Sequence, residues 1–458
     1  MSATPRPHRP QGDVRSLAIL MALGLGLRIL LVYILPGSGF EADIGAFQAW
    51  ASNLATEGPW GFYERPFHHD QQPIYMYVLW VMGELRQLVA GPGSLGDFVK
   101  LPSIIADLLL AWLVHSMILE IGASPRRALV GAAIILFIPI TWFDSVVWGQ
   151  ADAIGATVLV LGLRALWRDE PEQAALWAVL AATFKPQLGI LIPIVAGVTI
   201  ARYLLTRDRE DDSPGPTLPS PGAAFFAVRR WLALERGPIR IVTTALVGLL
   251  TAVVVGAPFK LSVIDLLRQV GVAAGGYPYL TANAYNLWAL VSHDGASMAT
   301  SGGFQCDALV PIGSCADPAA TVFIGPLWAV AVGTALLLAT IAGVTVAASR
   351  HPSRLGLLVA LTVLALAFFV VPTRVHERYL FPFIPLAAIL AVVSTRWAIA
   401  LAIGAVAMFL NMYVVLTTIY PGNPQIFDWL GIGPDIRSPT GVTLIALAHT
   451  GVFLFALS

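Results

Sequence analysis

Two carboxylates, Glu41 and Asp43, stand where the first strongly apolar run of the sequence gives way to polar residues, in Gly39-Phe40-Glu41-Ala42-Asp43-Ile44. Behind them Ile44, Phe47, Trp50 and Leu54 recur at helical spacing, so a short amphipathic helix is expected along the membrane surface, holding an acid at the interface. An acid in that position can serve as a general base. A concentrated positive group comes much later, in Pro372-Thr373-Arg374-Val375-His376-Glu377-Arg378-Tyr379. If that stretch is helical, Arg374 and Arg378 are one turn apart with His376 between them, and together they offer a phosphate site. Lys185, ahead of Pro186, is the next candidate for the same role, although a lysine at a span boundary commonly snorkels to the headgroups.

Three further stretches carry groups suited to a hydroxylated ligand. In His68-His69-Asp70-Gln71-Gln72-Pro73, the side chains of His69, Asp70 and Gln72 are expected to hydrogen-bond a substrate. Neighbouring His and Asp side chains can ligate Zn or Mn, but adjacent residues rarely converge on one ion, so no metal site is assigned here. In Phe143-Asp144-Ser145-Val146-Val147-Trp148-Gly149-Gln150-Ala151-Asp152, the acids Asp144 and Asp152 and the amide of Gln150 sit at a helix break. Asp152 suits the N-terminus of the span that follows; helix capping plus an interfacial Trp is the competing explanation of this stretch. In Asn283-Ala284-Tyr285-Asn286-Leu287-Trp288, after the turn-rich Gly275-Gly276-Tyr277-Pro278-Tyr279, the residues Asn283, Tyr285 and Asn286 combine amides with an aromatic ring, as carbohydrate or headgroup contacts do. An ordinary interfacial belt has the same composition. Cys306 and Cys315, the two cysteines of the chain, share one polar loop; if it is extracytoplasmic they can pair, and two free thiols are the alternative.

The elements that must position these residues are membrane spans. The chain of 458 residues is 57% hydrophobic and 12% charged, about half the charged share of a soluble domain, with a mean hydropathy of +0.76. Basic and acidic side chains number 27 each, so no global field points to nucleic acid, and no nucleic-acid motif is present. Arg6, Arg9 and Arg15 precede the run Leu17 to Leu35, which reads as an uncleaved first span with a cytoplasmic N-terminus. Eleven more apolar runs follow, giving an all-α polytopic membrane protein with about 12 transmembrane helices and a large first extracytoplasmic loop bearing interfacial helices. The run Pro73 to Ala90 contains Glu84 and Arg86; if it does not cross, Arg126, Arg127, Arg164, Arg168, Arg202 to Arg240, Arg350, Arg354 and Arg396 all become cytoplasmic, as does the C-terminus. The same choice brings every polar stretch above to the extracytoplasmic face. Residues 206–238, rich in charge, Pro and Ser, cannot bury a core and read as a cytoplasmic linker between a module of residues 1–205 and one of residues 239–458.

An acid, a phosphate site and sugar-type contacts on one face suit attack by an acceptor hydroxyl on a sugar linked to a lipid phosphate. At this point the sequence resembles the GT-C superfamily of polyprenyl-phosphate-sugar-dependent glycosyltransferases. The resemblance is carried by Glu41-Ala42-Asp43 after the first span, the DSxxWGQxDA-like stretch from Asp144, Phe184-Lys185-Pro186-Gln187, Asn283 to Trp288, and His376-Glu377-Arg378-Tyr379, and it covers most of the chain. It looks closest to bacterial members related to the dolichyl-phosphate-glucose or -mannose enzymes of glycan and anchor assembly. The family's acid of the first extracytoplasmic loop carries over to Asp43 as catalytic base, with Glu41 the neighbouring candidate. Its His-Glu-type motif near the donor phosphate carries over to His376, with Arg374 and Arg378 as partners, while Glu377 is expected among the substrate contacts, and inverting transfer is implied. Some branches have adjacent Asp-Glu where this chain has Glu-Ala-Asp, which leaves the choice between Asp43 and Glu41 open. An aromatic and paired prolines are expected where His68 to Pro73 stands, so an unusual acceptor specificity is implied.

The expectation is therefore an integral membrane glycosyltransferase of a bacterial plasma membrane, with its active site outside. It would transfer a hexose, mannose first, from a polyprenyl-phosphate donor to a lipid, glycan or protein acceptor, with membrane lipids and no nucleic acid as its other partners. No cofactor is required, and a divalent cation is compatible with the acids. A secondary transporter or flippase for a polar or lipid-linked substrate is the reading from another class; it favours polar groups at the midplane and internal repeats, and no strong repeat is visible. A family member without activity, retained as a scaffold, is the third.

Overall fold

A computed structural model describes residues 11–67, 69–91, 93–205, 237–311 and 313–458. His68, and the expected linker apart from Gly237 and Pro238, lie outside the described residues. Helix α1 (Gln11–Ile34) is followed by α2 (Glu41–Glu57) and α3 (Pro73–Ala90), then α4 (Leu101–Glu120), α5 (Pro125–Phe137), α6 (Asp152–Trp167), α7 (Pro171–Ala182) and α8 (Leu191–Ile200). The second part holds α9 (Ile239–Gly256), α10 (Val263–Gly275), α11 (Ala329–Arg350), α12 (Arg354–Val370), α13 (Phe383–Ala391), α14 (Thr395–Val414) and α15 (Pro439–Leu457). Among the described residues the strands are β1 (Phe323–Ile324) and β2 (Leu327–Trp328), an antiparallel pair.

The chain is an integral membrane protein of helical class. Seven helices among the described residues are long and apolar enough to cross a bilayer, or eight if the bent pair Pro125–Phe137 and Pro139–Trp148 is one span. Each of the apolar runs read from the sequence contains a helix, but six of these helices are short: α5, α6, α7, α8, α12 and α13 have 13, 16, 12, 10, 17 and 9 residues. At about 1.5 Å per residue these fall short of a core about 30 Å thick; turns of 3-10 and π helix lengthen α8 to Pro186–Leu205, and a π turn continues the bent span of α5. The run expected from Ala320 begins its span only at Ala329, because β1 and β2 reverse the chain around Gly325, whose φ is +61°.

The surface helix anticipated behind Asp43 is α2, which buries Phe47, Trp50, Ala51 and Leu54. Helix α3 lies against it so closely that a Cβ at Gly83 would strike the Ala51 carbonyl. Tyr77 of α3 donates its hydroxyl to Val255 O at 3.0 Å, which ties α3 to the end of the α9 span. The basic residues of the connections gather at the opposite end of the bundle: Glu120 accepts from Arg164, Arg168 and Trp167, and Glu172 pairs with Arg240 at 2.8 Å.

The break after α5 shapes the rest. Pro139 has no amide hydrogen, so the Ile135 carbonyl loses its helical donor, and the Thr141 hydroxyl takes its place at 2.7 Å. Arg28 of α1 donates Nη1 to the Leu136 carbonyl at 3.0 Å and Nε to Asp107 Oδ2 of α4 at 2.7 Å. The hydroxyl of Ser145 meets the same Asp107 oxygen at 2.6 Å. Arg28 and Asp107 are both fully buried, so the guanidinium partners the freed carbonyl and one carboxylate oxygen, Oδ2, while Asp107 Oδ1 is left without a hydrogen bond. Beyond the break the helix continues as a π-helical turn, Phe143–Trp148, and ends at Gly149 with φ +82°.

Arg28→Leu strands a buried carboxylate and is expected to cost about 3–5 kcal/mol, whereas replacing Arg28 and Asp107 together by leucine should recover much of that loss. Thermal unfolding of the purified protein in detergent reads both; equal destabilisation by the single and double variants would remove this role from the pair.

Candidate active site

Asp43 is the meeting point of three elements. It lies in the first turn of α2, and its Oδ2 accepts from Trp148 Nε1 at 3.4 Å and from Gln150 Nε2, both delivered by the broken span. Arg378 Nη2 approaches the same oxygen at 3.8 Å from the segment between α12 and α13. Among the described residues none donates to Oδ1, and the side chain is 24% exposed. One oxygen is therefore held while the other stays open. Glu41, by contrast, is exposed, and its backbone amide, not its carboxylate, is engaged, by Asn423 Oδ1 at 2.9 Å.

The loop before α2 is fixed from both sides. The Phe40 amide donates to the Trp148 carbonyl at 3.0 Å, and at Gly39, with φ +150°, a Cβ would strike the Ile44 side chain and crowd that carbonyl. Lys100 reaches Ser38 Oγ at 2.9 Å and Asp97 at 2.8 Å, and Asp97 accepts from the Gly37 amide at 2.9 Å.

The cationic motif is not the helix that its spacing suggested. Residues 371–382 run as bends and turns, Arg374 takes φ +64°, and the two arginines turn to different partners. Arg374 forms a two-pronged pair with the buried Asp307, Nε to Oδ2 at 2.8 Å and Nη2 to Oδ1 at 2.9 Å, and Thr373 also donates to Asp307. It is thereby committed to the loop that carries the disulfide between Cys306 and Cys315. Arg378 remains with Asp43; it also pairs with Glu377 at 2.7 Å and lies 5.6 Å over the Trp148 ring, and its buried Nε has no acceptor. Burial opposes the charge on Arg378, but Asp43 and Glu377 outweigh it and raise the guanidinium above its ordinary range. Burial pushes the Glu377 carboxyl up, against the pull of Arg378.

The remaining predicted residues divide in two. Lys185 pairs with Asp152 at 2.6 Å, both nearly buried, and their charges reach Asp144, which is fully buried with neither carboxylate oxygen hydrogen-bonded. The Asn283 amide donates to the Tyr420 hydroxyl at 3.1 Å, and its backbone bridges to His376. Asp70 acts electrostatically on Tyr277, as do Asp43 and Arg378, which places it near the same centre. Gln72, before α3, is buried with its Nε2 unpartnered, as is His69 Nδ1 amid Phe62, Tyr63 and Phe67. Tyr285 and Asn286, expected as ligand contacts, belong to the core instead. The Tyr285 amide donates to Asn411 and its carbonyl meets His449, while Asn286 is fully buried between the Phe369 carbonyl and the Trp288 amide. Residues that the sequence reading did not single out complete the surroundings: Phe40, Tyr277, Tyr420 and Asn423. An apolar cavity of about 370 Å³ between α7, α8 and α9 is not lined by Asp43. No group of three or more His, Cys, Asp or Glu among the described residues is arranged to hold a metal ion.

No known family model matches this chain, and no curated protein does. Among solved structures it is similar to the archaeal oligosaccharyltransferase AglB from Archaeoglobus fulgidus, in complex with an inhibitory peptide and a dolichol-phosphate, at 15% identity and a TM-score of 0.45. The likeness covers 96% of this chain and 56% of that one, so this chain spans little more than half the length of that protein.

Burial first, then the charges of Arg378 and Lys185, push the His376 imidazolium well below its ordinary range. The folded protein therefore excludes a proton that the unfolded chain takes up as pH falls below about 6.5. This contribution is fully present above the unfolded pKa and is lost as pH falls toward the depressed folded value. The melting temperature of wild type should fall more than that of His376→Gln when the protein is acidified through that window. A constant gap between the two would mean that His376 titrates like a free imidazole.

Proposed function

We propose that this protein is a GT-C-type membrane glycosyltransferase that moves a hexose, mannose first among candidates, from a polyprenyl-phosphate donor to a lipid, glycan or protein acceptor. The observation that carries the reading is the divided Asp43 carboxylate: Oδ2 is fixed by Gln150, Trp148 and Arg378, and Oδ1 takes no hydrogen bond from the described residues. A base needs that combination of fixed orientation and one free lone pair. Glu41, pointing to solvent, lacks it.

In this scheme the acceptor hydroxyl oxygen bonds to the anomeric carbon as its proton passes to Asp43 Oδ1. The bond from that carbon to the donor phosphate oxygen breaks on the opposite face, and its electron pair leaves with the polyprenyl phosphate. The configuration inverts in one displacement. Arg378 is the principal counter-charge for the departing phosphate, and Lys185, which is shared with Asp152, is the second, each as a preorganised donor. His376, kept neutral by its surroundings, serves as a hydrogen-bond partner rather than a cation. Residues 1–205 supply the base, and residues 239–458 supply the donor-phosphate motif. The side of the membrane on which the basic connections are absent is taken as extracytoplasmic, with both termini cytoplasmic and the bacterial plasma membrane as location. No step requires a metal ion.

The test is transfer of labelled mannose from synthetic polyprenyl-phosphate-mannose to lipids extracted from native membranes, with donor binding measured separately. Asp43→Asn should abolish transfer with donor affinity preserved, and Glu41→Gln should retain activity; normal turnover by Asp43→Asn sinks the assignment of the base. Arg378→Ala should weaken donor binding by about 1–3 kcal/mol, the value of a charge-assisted hydrogen bond. An unchanged affinity would move the phosphate site to Lys185.

A further inference from the structure

The turn at residues 420–423 has no part in the scheme above, yet it is built into the site. It follows the π-helical segment Val415–Ile419 at the end of α14, and such a segment re-aims what comes after it. Tyr420 is held at four points. Its hydroxyl accepts from Asn283 Nδ2 at 3.1 Å, and its ring stands edge-on to Phe40 with centroids 5.2 Å apart. Its carbonyl accepts from Asn423 Nδ2 at 2.8 Å, and its amide donates to Val415 O at 3.1 Å. Asn423 Oδ1 in turn accepts the Glu41 amide, so the turn is tied to the first residue of the helix that carries Asp43. Despite these ties the Tyr420 side of the turn is open: the residue is 38% exposed.

A second exposed tyrosine faces the same space. Tyr277 packs edge-on against His376, with centroids 4.7 Å apart, and is 39% exposed. Asp43, Arg378, Asp70 and Tyr420 all act electrostatically on its phenol, so the two tyrosines and the ion pair share one neighbourhood. A rigid, half-exposed ring offers a large apolar face at little entropic cost. Around it stand neutral hydrogen-bonding groups, the Asn283 amide and its own hydroxyl, with Arg378 already present as the local cation. With Asp43 and Asp70 beside Arg378, both signs of charge are present and neither selects an ion, whereas a neutral polyol can hydrogen-bond to all of these groups.

We infer that Tyr420 is the sugar platform of this site, its ring lying against the apolar C–H face of a pyranose while Asn283 and the phenol take ring hydroxyls. The inference rests on the transfer reaction proposed above and names what grips the sugar, as distinct from the phosphate.

The experiment compares two synthetic ligands on the purified full chain in detergent: bare polyprenyl phosphate, and the same lipid phosphate bearing mannose or glucose. Wild type, Tyr420→Ala and Tyr420→Phe are measured with each. Tyr420→Ala should weaken the better sugar-bearing ligand by about tenfold, in line with a lost aromatic contact, and leave bare phosphate within about twofold. Tyr420→Phe, which keeps the ring, should retain most of the affinity and guards against a folding defect in the alanine variant. Equal weakening of both ligands, or no change in either, overturns the inference and leaves the transfer reaction standing. Failure of wild type to bind any of the ligands overturns the transfer reaction and this inference together.

Discussion

A proline in a membrane span removes one hydrogen bond that no water can replace, and Pro139 obliges the rest of this structure to answer for it. The Thr141 hydroxyl takes up the freed Ile135 carbonyl, and Arg28 takes up that of Leu136. Bringing a guanidinium to that depth requires a counter-charge, which Asp107 supplies from a third helix, and Asp107 in turn holds Ser145. The consequence is directional. With the break held open, the chain turns through the π segment and Gly149, and Trp148 and Gln150 are delivered to Asp43 rather than continuing up a straight helix.

The other half of the site is brought in by backbone pairing. The Ala282 amide donates to the Val375 carbonyl at 2.9 Å, and Asn283 bridges to His376, so the 281–286 segment and the 372–379 segment move as one. Asn411, fully buried in α14, clamps that segment with both ends of its amide, accepting from the Tyr285 amide at 2.8 Å and donating to the Asn283 carbonyl at 2.9 Å. Asn283 can hold φ +68° because its backbone is satisfied on both sides. Buried amides are costly without partners, and here the partners are backbone groups of the 281–286 segment, which bridges to the segment that carries Arg378.

Hydropathy made the spans legible, since nothing but a bilayer asks for so many apolar runs, and the interfacial helix of Asp43 was legible from its period. The 323–328 hairpin was not, because its residues are as apolar as the span they precede; Gly325-Pro326 was the signal that divides them. Arg28 and Asp107 were visible as charges inside apolar runs, and an intramembrane charge asks for a partner. Their pairing joins positions 79 residues apart, which spacing along one chain does not reveal. Asp43, Gln150, Asn283, Glu377 and Arg378 come together as polar groups on one face should, whereas Tyr285 and Asn286 share the same composition and serve packing. Tyr420 was hidden in a loop with no motif, since its importance lies in being exposed while fixed, a property of three dimensions.

The two arginines of the late motif show why composition alone overstates a site. Both were counted as phosphate ligands on the assumption of a helix, where residues four apart share a face. The chain instead reverses at Arg374, whose positive φ turns it toward Asp307, and a two-pronged pair with a carboxylate at 0% exposure, with a third N–H given to the Ala274 carbonyl, commits most of that guanidinium to the fold. Arg378 keeps an unpaired Nε and only a loose approach to Asp43. An incoming phosphate can draw on Arg378 while Nη1 keeps the buried Glu377 at 2.7 Å, whereas drawing on Arg374 breaks a two-pronged pair and leaves Asp307 alone in the interior. The asymmetry in cost, more than the count of charges, decides which cation can serve.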